Sequence, residues 1–275
     1  LYNGIYTRTG LLILAAIVGA GFVGFVDDLL KIRNERNLGL TSRTKMIGLI
    51  AVALGFSILM VTLTDVHTEV SFTRWNSPGW DLGPVGWVLW ATFLIIAMSN
   101  AVNLTDGLDG LAGGSAIFAS AAFAVIAFWA FRNQEIYDVA HGLDIAVIGV
   151  TMMGAITGFL WWNAAPAQIF MGDTGSLAIG TGLACLSLAT NTHLLLPIIG
   201  LVFVGETVSV ILQVGFFKLT GGRRIFRMAP VHHHFELSGW PETTVIIRFW
   251  IIGGLLAGLG LALFYGDFVA IGAAD

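Results

Sequence analysis

Cysteine and charge are both scarce in this 275-residue chain. Cys185 is the only cysteine, so the sequence offers no disulfide framework and no thiolate metal cluster. It sits in an apolar run, where a buried and inert thiol is expected. Asp, Glu, Lys and Arg together make up only 11% of residues, against about 25% in globular proteins. Hydrophobic residues reach 56%. This balance excludes a soluble domain, a disordered tail, a fibrous repeat and a free nucleic-acid binder. A basic n-region and a small-residue cleavage site are also lacking around the first apolar run, Leu11 to Val26, so it does not read as a signal peptide. Residue 1 is Leu, and the sequence is expected to begin inside a longer protein.

What is present is membrane-type composition: 35 Gly, 9 Trp and 19 Phe, with Gly and interfacial Trp both enriched in membrane helices. A bilayer core needs about 20 apolar residues of helix. Eight stretches qualify, at 9–28, 45–63, 84–102, 115–131, 142–162, 177–191, 194–216 and 246–265. The sixth is short. The seventh carries Glu206, which is costly in lipid and should face the bundle interior, as a helix–helix contact or part of a transport path. The fold expected is all-α, a polytopic membrane bundle of about eight helices, read as one transmembrane catalytic domain over residues 1–275.

Basic residues set the orientation. Segments 29–44, 103–114, 163–176 and 217–245, with their helix ends, hold Lys31, Arg33, Arg36, Arg43, Lys45, Lys218, Arg223, Arg224, Arg227 and Arg248. The opposite set holds only Arg8, Arg74 and Arg132. The first set should therefore be cytoplasmic. Trp75, Trp80, Trp87, Trp90, Trp161, Trp162 and Trp240 read mainly as interfacial anchors, and His67, His141 and His193 as surface residues near outer loops.

The basic side also holds nearly every polar residue suited to chemistry. Asp27 and Asp28 end the first span, with Lys31 one turn beyond Asp27. They are either an ordinary helix end in water or a carboxylate pair that needs a cation, since a helix C-terminus disfavours acids. The run from Asn103 to Gly114 places Asp106 and Asp109 three apart among four glycines. It is either a polar turn or a backbone cradle for a nucleotide or metal–phosphate group. It lacks the Gly-Lys-Ser/Thr of a P-loop and the ligand spacing and closing Glu of an EF-hand. Asn163 opens the third segment. Asp173 closes it, with Asp173 or Thr174 as a simple N-cap, or with Asp173 as a divalent-metal ligand, or both. The last segment combines Arg223, Arg224 and Arg227 with His232, His233 and His234. Contiguous histidines without cysteine make a poor zinc site. Arg and His donors suit phosphates, although lipid anchoring also accounts for the arginines.

Carboxylates, basic side chains and a lipid boundary fit phosphoryl-group transfer from a soluble diphosphate to a lipid phosphate. The segment Asp27-Asp28-Leu29-Leu30-Lys31, the Asn103–Gly110 run and Asn163…Asp173 resemble the polyprenyl-phosphate N-acetylhexosamine-1-phosphate transferase superfamily. Met228-Ala229-Pro230-Val231-His232-His233-His234-Phe235-Glu236 is similar to its phospho-N-acetylmuramoyl-pentapeptide branch. The resemblance implies transfer of phospho-MurNAc-pentapeptide from UDP-MurNAc-pentapeptide to undecaprenyl phosphate, giving lipid I and UMP. This is a step of cell-wall peptidoglycan synthesis at the bacterial plasma membrane, with Mg²⁺ as cofactor and no nucleic-acid partner. A homodimer is one form consistent with it.

By the same resemblance, Asp27 corresponds to the acid that deprotonates the lipid phosphate, and Asp173 to the principal Mg²⁺ ligand. Asp28 and Asp106 would lie beside the metal and phosphates. Gly107, Leu108, Asp109 and Phe170 correspond to a uracil-binding wall. Lys31, Lys45, Asn103 and Asn163 would surround the diphosphate. His232, as a further catalytic group, would border the sugar–phosphate site with His233 and His234. The family has ten membrane helices, so about two are expected to precede residue 1. A UDP-GlcNAc-type transferase is the nearest alternative. A cation-coupled transporter using Asp27, Asp106, Asp173 and Glu206 is more distant, because a transport site belongs near mid-membrane.

Overall fold

The computed structural model describes residues 7–33 and 39–272. Arg36, one of the residues used to assign orientation, lies outside that range. The apolar runs form α1 (Arg8–Arg33), α2 (Ser42–Leu63), α3 (Gly83–Thr105), α4 (Leu111–Arg132), the short α5 (Gln134–Tyr137), α6 (Gly142–Asn163), α7 (Gly172–Ala189), the short α8 (Leu196–Ile199), α9 (Leu201–Leu219), the short α10 (Val231–Glu236) and α11 (Glu242–Gly272). Helix is the one local structure that satisfies every backbone N–H and C=O of such a run without water. Among the described residues, α1, α2, α3, α4, α6, α9 and α11 are long and apolar enough to cross a membrane.

The short sixth stretch is the centre of the bundle. Nearly all of α7 beyond its first turn is buried, and α1, α3, α4 and α6 pack on it. It begins at Gly172, five residues before the predicted start, because a partner on α1 caps it. The predicted seventh span is broken at Gly200 into α8 and α9. Trp87 is not an interfacial anchor. It is fully buried, on the α3 stripe Trp87, Ala91, Leu94, Ile95, Met98 and Val102 that faces the core at helical spacing.

One element departs from the all-α expectation. Strands β1 (Glu69–Arg74) and β2 (Ser77–Asp81) form an antiparallel hairpin between α2 and α3. Its inward residues are the polar Ser71 and Thr73, so no apolar alternation announces it. The hairpin buries His193, which is 1% exposed and not a surface residue. The His193 ring nitrogens lie 2.9 Å from Trp90 Nε1 and 2.8 Å from the Ser71 amide nitrogen. Burial lowers the pKa of His193 to about 4. Thr73 and Arg74 bind Asp267 of α11 at the same face.

Candidate active site

At the opposite face, four segments distant in sequence meet. Gly24 makes the first contact possible, because a Cβ there would fall on the Asp173 carbonyl and the Thr174 amide. The close approach of α1 and α7 brings Asp27, Asp28 and Asp173 together. One carboxylate oxygen from each lies within 4.8 Å of the others.

Each acid has its own surroundings. Asp27 is buried, with Oδ1 accepting from the Leu40 amide at 2.7 Å and Oδ2 2.6 Å from Lys31 Nζ. Asp28 accepts from the Thr174 amide (3.0 Å), the Thr174 hydroxyl (2.7 Å) and the Asp173 amide (3.3 Å). Asp28 therefore caps α7 from another helix. The helix-start reading of Asp173 is corrected accordingly: Asp173 lies in the first turn of α7, and its side chain makes no capping bond there. Its Oδ1 accepts from Asn103 Nδ2 at 2.7 Å, and its Oδ2 faces the ammoniums of Lys31 (3.2 Å) and Lys45. Three carboxylates against two lysines leave one net negative charge. This cluster of hard oxygen donors fits a divalent cation, which takes such ligands at about 2.0–2.1 Å when it is Mg²⁺.

Beside the acids opens a cleft of about 390 Å³. Asn103, Asp106, Gly107, Leu108, Asp109, Asn163, Phe170 and Asp173 line it, joined by Met171 and Gly172. Residues 106–110 form a turn, not a helix, so Asp106 and Asp109 are not held on a helical face. Burial and the charges of Asp173, Asp28 and Asp109 push the Asp106 carboxyl up to about 6. Asp109 accepts from the Ala167 amide at 2.9 Å, tying the turn to the segment before α7. Asn163 is buried and donates to the Ile169 carbonyl at 2.8 Å, so it shapes that same segment. Phe170 is 77% exposed at the cleft.

The histidines separate. His232 is fully buried behind the Gly107 turn, with Nδ1 3.1 Å from Glu206 Oε2. His233 Nδ1 lies 2.6 Å from Glu236 Oε2, and His234 Nδ1 accepts from the Arg227 amide at 3.1 Å. Arg223 and Arg224 are exposed and do not line the cleft.

Glu242 was not foreseen, and the sequence suggests Thr174 only as an alternative cap at the start of α7. Glu242 accepts from the Asp109 amide at 3.3 Å, and nothing local in the sequence marks it. Thr174 follows Asp173 directly, and its small polar side chain at a helix start was the available signal.

Residues 10–191 match the family model for Glycosyl transferase family 4. The phospho-N-acetylmuramoyl-pentapeptide-transferase of Frankia alni is 50% identical, over 97% of this chain and 78% of its own length. That of Streptomyces coelicolor is 49% identical, over 94% and 75% respectively. That of Mycobacteroides abscessus is 49% identical, over 96% and 77%. With half of its residues shared along nearly its whole length, the chain belongs to the phospho-N-acetylmuramoyl-pentapeptide-transferase family.

Proposed function

We propose that this chain transfers phospho-MurNAc-pentapeptide from UDP-MurNAc-pentapeptide to undecaprenyl phosphate, releasing UMP and forming lipid I. The observation that carries the reading is the Asp27–Asp28–Asp173 cluster, held by Lys31 and Lys45 and joined through Asp173 to the 390 Å³ cleft. A phosphate oxygen of the lipid attacks the phosphorus that bears the sugar. The diphosphate P–O bond breaks, and the electron pair leaves with UMP. Asp27 takes the proton from the lipid phosphate. It is poised for this by the Leu40 amide and Lys31, which fix both of its oxygens. Asp173, with Asp27 and Asp28 in reach, holds Mg²⁺, which supplies charge neutralisation to the diphosphate. Lys31 and Lys45 donate to phosphate oxygens once the donor arrives. Asp28 keeps Asp173 in place through the first turn of α7.

Gly107, Leu108, Asp109 and Phe170 form the wall for the uracil ring. Asn103, Asp106 and Asn163 border the diphosphate, and His233 and His234 the sugar. His232 serves the reaction from behind the Gly107 turn. The site faces the cytoplasm, where the basic residues gather, and a homodimer belongs to the same proposal. Incubating the protein with undecaprenyl phosphate and either UDP-MurNAc-pentapeptide or UDP-GlcNAc, and measuring UMP, tests the substrate. Release with UDP-GlcNAc alone would defeat it. External labelling of cysteines placed at residues 109 and 223 in intact cells tests the orientation, and modification of both would reverse it.

A further inference from the structure

We propose that Glu206 is a positioning residue that acts through His232 to hold the Asp106–Gly107 turn in its nucleotide-receiving shape. The proposal rests on the reading of the cleft given above.

Helix α9 presents Leu201, Val208, Ile211 and Leu212 outward, yet Glu206 in the same helix is fully buried. A buried carboxylate is costly unless it is paired. Its partner is His232, also fully buried, on the separate element α10. Glu206 Oε2 lies 3.1 Å from Nδ1 and accepts from the backbone N–H of His232 at 3.4 Å. This one oxygen therefore receives the main-chain N–H of His232 and lies against its ring.

Neither ring nitrogen of His232 has a hydrogen-bond partner among the described residues, and Nε2 is the one aimed at Gly107. A Cβ at Gly107 would fall 2.5 Å from it and 3.5 Å from His233 Nε2. The imidazole thus lies against the turn where glycine alone leaves room, and Gly107 itself lines the cleft. The far half of the turn is held separately, by Glu242 on the Asp109 amide and by Trp250 Nε1 on the Gly110 carbonyl at 3.2 Å. The near half has the Glu206–His232 pair behind it. A buried carboxylate set against an imidazole is a poor device for stability alone. As a rigid post behind a binding turn, its burial has a purpose.

Binding of UMP to the purified full chain, measured by calorimetry, tests this without requiring turnover. Glu206→Gln should weaken UMP binding about tenfold, the loss of one hydrogen bond to a charged group. The thermal midpoint should hold, and Glu206→Asp should recover part of the affinity. In a His232→Ala background, Glu206→Gln should have no further effect, since the post is already gone. A second pair covers the case where Glu206→Gln does not fold. Gly107→Ala should weaken UMP binding by pressing on Nε2, and His232→Ala should relieve that loss. Unchanged UMP affinity in both Glu206→Gln and Gly107→Ala overturns the proposal, as do additive double variants. No UMP binding by the wild-type protein overturns it together with the reading of the cleft.

Discussion

Replacing Gly24 by alanine puts one methyl group at the tightest point of the site. The new Cβ would fall on backbone atoms of Asp173 and Thr174, which have no flexible end to swing aside. Relief requires α1 and α7 to part by on the order of 1 Å to regain ordinary van der Waals separation. Overpacking of this kind costs about 1–3 kcal/mol, which a bundle with contacts along the whole of α7 should withstand. The chemistry should fare worse. Asp27 and Asp28 ride on α1 and Asp173 on α7, so the same displacement opens the carboxylate cluster. A misplacement of about 1 Å can cost around 100-fold in rate. UMP release from the donor, assayed with saturating undecaprenyl phosphate, should fall by about that factor, while UMP binding in the cleft changes little. Gly158→Ala is the control, because a Cβ there meets nothing within 4 Å, and turnover should stay at the wild-type level. Turnover near wild type in Gly24→Ala would refute the claim that the α1–α7 approach sets the acid geometry. So would an equal loss in both variants.

Asp173→Asn should lower Mg²⁺-dependent turnover by at least about tenfold to 100-fold, the scale for disturbing a metal site, with the bundle still folded by circular dichroism; normal turnover across a magnesium titration would reject its metal role. Asp106 holds a proton up to about pH 6 in the folded protein, whereas its ordinary value is 3.8. The unfolded chain binds fewer protons in that window, so the contribution of Asp106 to stability falls as pH rises through it. Asp106→Asn should remove this slope from thermal denaturation in detergent, and an unchanged slope would refute the assignment. His193 acts in the opposite sense. Its folded value of about 4 lies below the ordinary 6.5, so its contribution is present at neutral pH and is lost as pH falls through about 4. His193→Gln should flatten that acid loss, and an unaltered acid limb would show that the hairpin pocket does not govern it.

The primary structure alone determined the membrane bundle, because long apolar runs have no other way to satisfy their backbones in lipid. The acids and glycines of the site and the histidines behind its Gly107 turn were legible as well, since charged and flexible residues stand out against so apolar a background. Their roles were less so. Asp28 and Asp173 are 145 residues apart, and only the packing of α1 on α7 reveals that the first caps the helix carrying the second. Glu206 pointed inward by its cost in lipid, but its partner lies 26 residues away on another element. Trp87 and His193 looked peripheral and are buried, because helix rotation and a hairpin with inward polar residues decide exposure there. Composition and spacing act through local backbone and solvent preferences, whereas which side chains share a site depends on how the helices turn and dock. That is set by contacts summed over the whole bundle.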